Sequence, residues 1–295
     1  MKKTVFTGAG VAIITPMRPD GSVHYSELER IIQDQIAANT DAIIICGTTG
    51  EASTLQDKEH LECIRCAVET TKGRIPVIAG TGSNDTAHSI EMSKKAVELG
   101  VDAILQVTPY YNKTSQKGLI AHFTTIADAV SVPVILYNVP GRTGVNISPA
   151  TCKTLSAHPN IVAIKEASGN ISQVAEIAAL CGDDLAIYSG NDDQIVPILS
   201  LGGKGVISVL SNVAPQDTHK MCQLWFEGKT QESLALQLRY LDLCNALFAD
   251  VNPIPVKAAM NLLGYEAGSC RLPLVELDSA HLNTLRQSMV KCGLL

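Results

Sequence analysis

Nowhere in the 295 residues does an uninterrupted apolar run approach the roughly 20 positions that a membrane-spanning helix needs. Clusters of lysine and arginine are missing too. With a formal net charge of −6, neither nucleic acid nor an anionic membrane surface is the expected partner, because both reward basic patches. The seven histidines lack metal-ligand spacing, and there is no P-loop or dinucleotide fingerprint. Any chemistry must then run on side chains alone, without metal or cofactor. The nine cysteines are scattered, odd in number and without the spacing of a disulfide framework, which points to a reducing cytoplasm. Cys63 and Cys66, in "CIRC", fall in a helical pattern without a second ligand pair and are read as structural. The opening "MKKTVFTGAGVAIITP" superficially resembles a secretion signal, but Thr7, Gly8, Gly10 and Pro16 interrupt it, so it is read as a first strand. Low-complexity segments and flexible linkers are likewise wanting.

What is present is a well-packed composition, 46% hydrophobic and 18% charged, of a size that suits one large domain or two ordinary ones and a small-molecule partner. Eight short apolar runs recur along it: "GVAIIT", "DAIIIC", "IPVIAG", "DAILQV", "VPVILYN", "IVAIK", "LAIYSG" and "KGVISV". Between them, stretches such as 26–39, 58–71, 86–99 and 119–130 place apolar residues every three or four positions, as amphipathic helices do. Strands buried on both faces and alternating with helices pair in parallel. Eight units predict a (β/α)8 barrel over residues 1–228, in preference to an open doubly wound sheet of five or six strands. The remainder, 229–295, reads as a helical region, with "MCQLWFEG" just before it as the eighth barrel helix.

Barrels of this kind carry their working groups at the C-terminal ends of the strands. Lys165 ends the sixth run, "IVAIK". Period-two alternation puts Ile161, Ala163 and Lys165 on one face and Val162 and Ile164 on the other, which can aim the lysine into the barrel mouth. Tyr137 ends the fifth run, in phase with Ile135. A lysine there is either a nucleophile towards a carbonyl, once apolar walls have disfavoured its charged form, or a side chain that snorkels to solvent. "GTTGE" (Gly47 to Glu51) offers two hydroxyls and glycine-freed N–H groups, which suit a carboxylate or a phosphate as well as simple helix capping. Arg142, in "YNVPGRTG", is either a two-point clamp for a carboxylate or a surface residue of a Pro-Gly turn. "TPYYNK" closes the fourth run with Tyr110 and Tyr111 pointing opposite ways, one towards the mouth and the other towards a partner, with core packing as the alternative for either.

In this combination and order, "GTTGE", "YNVPGRTG" and "IVAIKEASG" resemble the dihydrodipicolinate synthase and N-acetylneuraminate lyase family over essentially the whole chain. The resemblance implies a (β/α)8 barrel with a C-terminal helical region, and a Schiff-base lysine, Lys165, that attacks pyruvate. By motif position, Tyr137 would move protons at the pyruvate centre, with Thr48 and Tyr111 completing the relay. Tyr111 would reach into a neighbouring subunit's site, implying at least a dimer and usually a homotetramer. Thr49 would hold the pyruvate carboxylate, Gly190 and Ile207 would line its pocket, and Arg142 would receive the second substrate's carboxylate.

The "PGRTG" form is similar to the members that bind aspartate semialdehyde. That implies condensation of pyruvate with L-aspartate 4-semialdehyde to 4-hydroxy-tetrahydrodipicolinate, on the route to diaminopimelate and lysine. The alternatives are a pyruvate-dependent lyase acting on a sugar acid or other aldehyde, and a non-catalytic barrel that binds a keto acid. The resemblance also implies an effector site for lysine near His60, Asn84, His88 and Tyr110. Two positions there depart from lysine-sensitive members: Ala52 stands where serine is common, and His88 replaces the glutamate that receives the effector's α-ammonium. Asp57 takes a position often held by histidine and can attract an ammonium in its turn. These changes imply weak lysine inhibition or none.

Overall fold

The computed structural model describes Lys2 and residues 4–295. Its eight strands, β1 (Gly8–Ala12), β2 (Ala42–Ile45), β3 (Val77–Gly80), β4 (Ala103–Val107), β5 (Val134–Asn138), β6 (Ile161–Glu166), β7 (Ala186–Ser189) and β8 (Gly205–Ser208), pair in parallel in sequence order and close with β1 against β8. Helices α1 (Tyr25–Ala37), α2 (Asp57–Thr71), α3 (Thr86–Glu98) and α4 (Gln116–Asp128) follow the first four strands. A single turn, α5 (Pro140–Thr143), precedes α6 (Pro149–Leu155), and α7 (Ile171–Cys181), α8 (Ile195–Ser200) and α9 (Pro215–Phe226) complete the ring. Beyond it lie α10 (Thr230–Ala246), α11 (Ile254–Leu262) and α12 (Ser279–Lys291). The expected (β/α)8 barrel with C-terminal helices is therefore the fold.

Alternation along the strands divides the apolar residues into two cores. Ala12, Ile44, Ile78, Leu105, Ile135, Ala163 and Ile207 fill the barrel interior, where Phe6 stacks on Tyr188 at 4.3 Å and closes the floor. Ile43, Ile45, Val77, Ile104, Leu136 and Ile164 face the helices instead. At about 1.5–3 kcal/mol for each large aliphatic side chain fully buried, this two-sided burial is why the strands read as unbroken apolar runs. Closure requires glycine on both sides of the seam. Gly8 (φ 115°) pairs with Gly205 (φ 148°), and a Cβ on Gly205 would overlap the Gly8 carbonyl oxygen.

The expected phase of β6 needs correction. Val134 pairs with Ile161 but Ile135 pairs with Ala163, so Val162 is an extra residue. This bulge sends Ile161 outward and leaves Val162 inside with Ala163. Lys165 keeps the inward face expected of it because it lies beyond the bulge, in register with Tyr137. Some boundaries also move. The first strand spans 8–12 rather than 10–15, and α1 ends at Ala37 with Asn39 left-handed (φ 64°). No helix among the described residues is long and apolar enough to cross a membrane. Cys63 and Cys66 are buried in the helix-facing core, and all nine cysteines are free thiols.

The C-terminal helices share that outer core. Tyr240, Leu243, Val256, Met260, Leu285 and Met289 pack in one cluster with the outward residues of the strands. This continuity brings residues after 250 up against the loop that follows β2.

Candidate active site

Lys165 stands at the C-terminal end of β6, 6% exposed, between Tyr137 of β5 and Tyr188 of β7 in register. Its amine lies 4.4 Å from the centroid of the Tyr137 ring and faces no carboxylate within 4.0 Å among the described residues. Lys257 is also buried but is engaged very differently. Its amine donates to Glu51 Oε1 at 2.8 Å and to the Ser269 carbonyl at 2.8 Å. A buried ammonium needs such partners, so Lys257 is a structural cation. Lys165 has no ion-pair partner of that kind among the described residues, and its amine lies over an aromatic ring instead.

Glycine makes room for the Lys165 stem. A Cβ on Gly190, just after β7, would lie 3.1 Å from Lys165 Cε and 2.6 Å from Ala167 Cβ, while the Gly190 N–H donates to the Glu166 carbonyl at 2.8 Å. Ile207 lines the interior from β8, opposite Gly10 of β1. Next to Lys165, the buried Glu166 carboxylate is satisfied by amides rather than by a cation. Asn138 Nδ2 donates to it at 2.9 Å, Gln173 Nε2 at 3.2 Å and the Ser168 N–H at 2.6 Å. Asn138 also accepts from the Ile147 N–H, which ties the loop after β5 to the end of β6. Burial pushes the Asp192 carboxyl up, and its Oδ2 accepts the N–H groups of Val209 and Leu210, fixing the turn that follows β8.

The loop after β2 is bent so tightly that Glu51 adopts a left-handed conformation (φ 55°). The Gly47 carbonyl accepts from the Gly50 and Ala52 N–H groups, and Thr15 Oγ1 donates to the Gly50 carbonyl. Thr49 is buried and Thr48 half-buried. Thr48, Tyr137 and Arg142 line one cavity of about 460 Å³; Lys165, Thr49, Gly190 and Ile207 are not among its lining residues, and the Lys165 amine lies against the Tyr137 ring that is. Arg142 is exposed on α5 and forms no ion pair among the described residues, which leaves its guanidinium free to meet an incoming anion.

His60, His88 and Tyr110 line the same cavity further out. Asn84 lies to one side, where its carbonyl accepts from Asn112 Nδ2 at 2.9 Å. His60 shares a 2.8 Å bond between Nε2 and the Gly80 carbonyl, and burial pushes its imidazole below the ordinary value, so the neutral ring donates there. His88 Nε2 is 3.6 Å from Asp57 Oδ1. Tyr111 stands apart. It is 91% exposed, left-handed (φ 66°), and turned away from the cavity of its own chain.

Three contributors escaped the sequence reading: Glu51, Lys257 and Asn252, whose Nδ2 donates to Thr49 Oγ1 at 2.9 Å. Asn252 lies 203 positions from Thr49, and Lys257 lies 206 from Glu51.

A profile of the dihydrodipicolinate synthetase family matches residues 5–291. The chain belongs to that family. It is 56% identical over 295 residues to the 4-hydroxy-tetrahydrodipicolinate synthase of Acetivibrio thermocellus, covering 100% of both chains. Among solved structures it is similar to the synthase of Cyanidioschyzon merolae with lysine bound, at 44% identity and a TM-score of 0.97, covering 99% of this chain and 100% of the other. The chloride-inhibited synthase of Acinetobacter baumannii complexed with pyruvate matches at 42% identity and 0.97, with the same coverage.

Within this family frame, the packing of Gly190 on the Lys165 stem has a measurable consequence. Gly190→Ala is expected to cost about 1–3 kcal/mol of stability by overpacking and to lower turnover on the order of 100-fold by displacing the amine. Unchanged turnover in a purified variant would show that Gly190 does not position Lys165.

Proposed function

We propose that this chain condenses pyruvate with L-aspartate 4-semialdehyde; the product, 4-hydroxy-tetrahydrodipicolinate, is the one in the name of its 56%-identical relative. The observation that carries the reading is the buried Lys165 amine without a counter-ion over the Tyr137 ring. Uncharged, the amine adds to the keto carbon of pyruvate, and loss of water leaves an iminium. That cation is the electron sink through which the pyruvate methyl group gives up a proton and becomes an enamine. The enamine carbon attacks the aldehyde, and the oxygen that becomes an alkoxide takes a proton. The semialdehyde's own amine then displaces Lys165 and closes the six-membered ring.

Tyr137 is the acid and base of these transfers, and Thr48 connects it to Tyr111. The exposure of Tyr111 suits a residue that serves the site of a second copy, so the active unit is at least a dimer, within a homotetramer. Thr49 holds the pyruvate carboxylate, and Gly190 and Ile207 wall its pocket. Arg142, unpaired at the cavity mouth, receives the carboxylate of the semialdehyde. A lyase for sugar acids has less use for that free guanidinium.

Sodium borohydride with pyruvate is expected to reduce the iminium to a secondary amine, inactivating the protein and adding a pyruvate-derived mass to the peptide that carries Lys165. Modification elsewhere, or none, refutes the Schiff-base assignment. Arg142→Ala should leave this trapping intact yet lower kcat/KM for the semialdehyde by roughly 10- to 150-fold, the equivalent of a lost charge-assisted bond of about 1.5–3 kcal/mol. An unchanged value would favour the lyase.

For the effector site, Asp57 and His88 face each other across the outer cavity, so the carboxylate that could attract an ammonium already has an imidazole beside it. Lysine is therefore expected to inhibit roughly 10- to 150-fold more weakly than where a glutamate stands at position 88. Titration of activity with L-lysine, before and after His88→Glu, tests this. Micromolar inhibition of the unaltered protein is the outcome that contradicts it.

A further inference from the structure

The C-terminal region reaches the loop after β2 at two buried points, the Lys257–Glu51 ion pair and the bond from Asn252 Nδ2 to Thr49 Oγ1. The first belongs to a wider brace: the other Glu51 oxygen accepts the Arg271 N–H at 2.8 Å, and the Arg271 guanidinium donates to the Thr54 carbonyl and grips Glu59. The second acts on a hydroxyl. Asn252 is 5% exposed and Thr49 3% exposed, so neither can rely on solvent to complete its hydrogen bonding.

A threonine hydroxyl has one proton to give and two lone pairs to fill. With an amide N–H filling a lone pair, the Thr49 proton stays available for a third party. If the amide were turned over, Thr49 would donate to Oδ1 and present only lone pairs outward, and a carboxylate would meet repulsion. Asn252 Oδ1 is buried and unpartnered, so the side chain leaves its own acceptor unsatisfied while its donor serves Thr49. Mere filling of space does not call for that arrangement.

We infer that Asn252 is a positioning residue for the keto-acid site: it fixes the polarity of the Thr49 hydroxyl, so that Thr49 donates to the substrate carboxylate. This rests on the reading of Thr49 as the holder of the pyruvate carboxylate. It also makes the C-terminal region part of substrate recognition.

The test is a double-mutant cycle read by pyruvate-dependent borohydride trapping and by steady-state kinetics. Asn252→Asp, which offers only acceptors when ionised, should raise the pyruvate concentration for half-maximal trapping at least 10-fold. Asn252→Ala should raise it about 3- to 10-fold. The KM for the semialdehyde should stay within twofold in both. In the Thr49→Val background, neither Asn252 variant should weaken pyruvate further, because the hydroxyl through which Asn252 acts is gone. Asn252→Ala carries the cycle alone if aspartate prevents folding. Equal weakening with and without the Thr49 hydroxyl, or no weakening where Thr49→Val alone weakens pyruvate, overturns the role of Asn252. If Thr49→Val itself leaves pyruvate trapping unchanged, the carboxylate assignment of Thr49 falls, and this inference with it.

Discussion

A lysine amine without a counter-ion, held at the mouth of a closed barrel, is the constraint on which the site depends. Buried ammonium groups are costly, and proteins meet that cost with carboxylates and carbonyls or let the proton go. This chain buries two lysines in different surroundings. Lys257 has Glu51 and the Ser269 carbonyl, whereas Lys165 has an aromatic face and a glycine. The two buried amines differ in those neighbours. Glu166, immediately beside Lys165, shows how the separation is maintained. Its carboxylate is occupied by Asn138, Gln173 and a backbone N–H, and so does not serve as an ion-pair partner for the amine.

Rigidity around that amine comes from contacts distant in sequence. The bonds of Asn138 and Glu166 tie the loop carrying Arg142 to the strand carrying Lys165. The loop carrying Thr48 and Thr49 is braced from the opposite side by the C-terminal region. A site accurate to a fraction of an ångström needs such support, because positional errors near 1 Å can cost on the order of 100-fold in rate. The helices after the barrel therefore do more than cover a face of it.

Much of this was legible in the sequence because two-sided burial writes itself as apolar runs. All eight strands could be found from their composition, and the lysine and tyrosine at the ends of β6 and β5 stood out as polar interruptions of those runs. The bulge at Val162 was not legible, since an extra valine in an apolar strand leaves no compositional mark. Lys165 kept its face only because the bulge precedes Ala163. The network of Glu51, Lys257 and Asn252 was hidden for a different reason. Periodicity reports on neighbours along the chain, and these partners are some 200 residues apart. An asparagine before a proline, as at Asn252, marks a break in a helical pattern, and a break signal says nothing of what the side chain reaches.

The same distinction separates the two halves of the cavity. Its inner wall, with Tyr137 at the end of β5 and Thr48 in the loop that leaves β2, lies at the C-terminal face of the barrel. The outer wall, where Asp57 and His88 meet, sits at the starts of α2 and α3, which the barrel constrains far less. Changing a charge there leaves the strands, the bulge and the lysine untouched. The strand-end residues and the charges of the outer wall can thus change independently, although Tyr137, Asp57 and His88 line one continuous cavity.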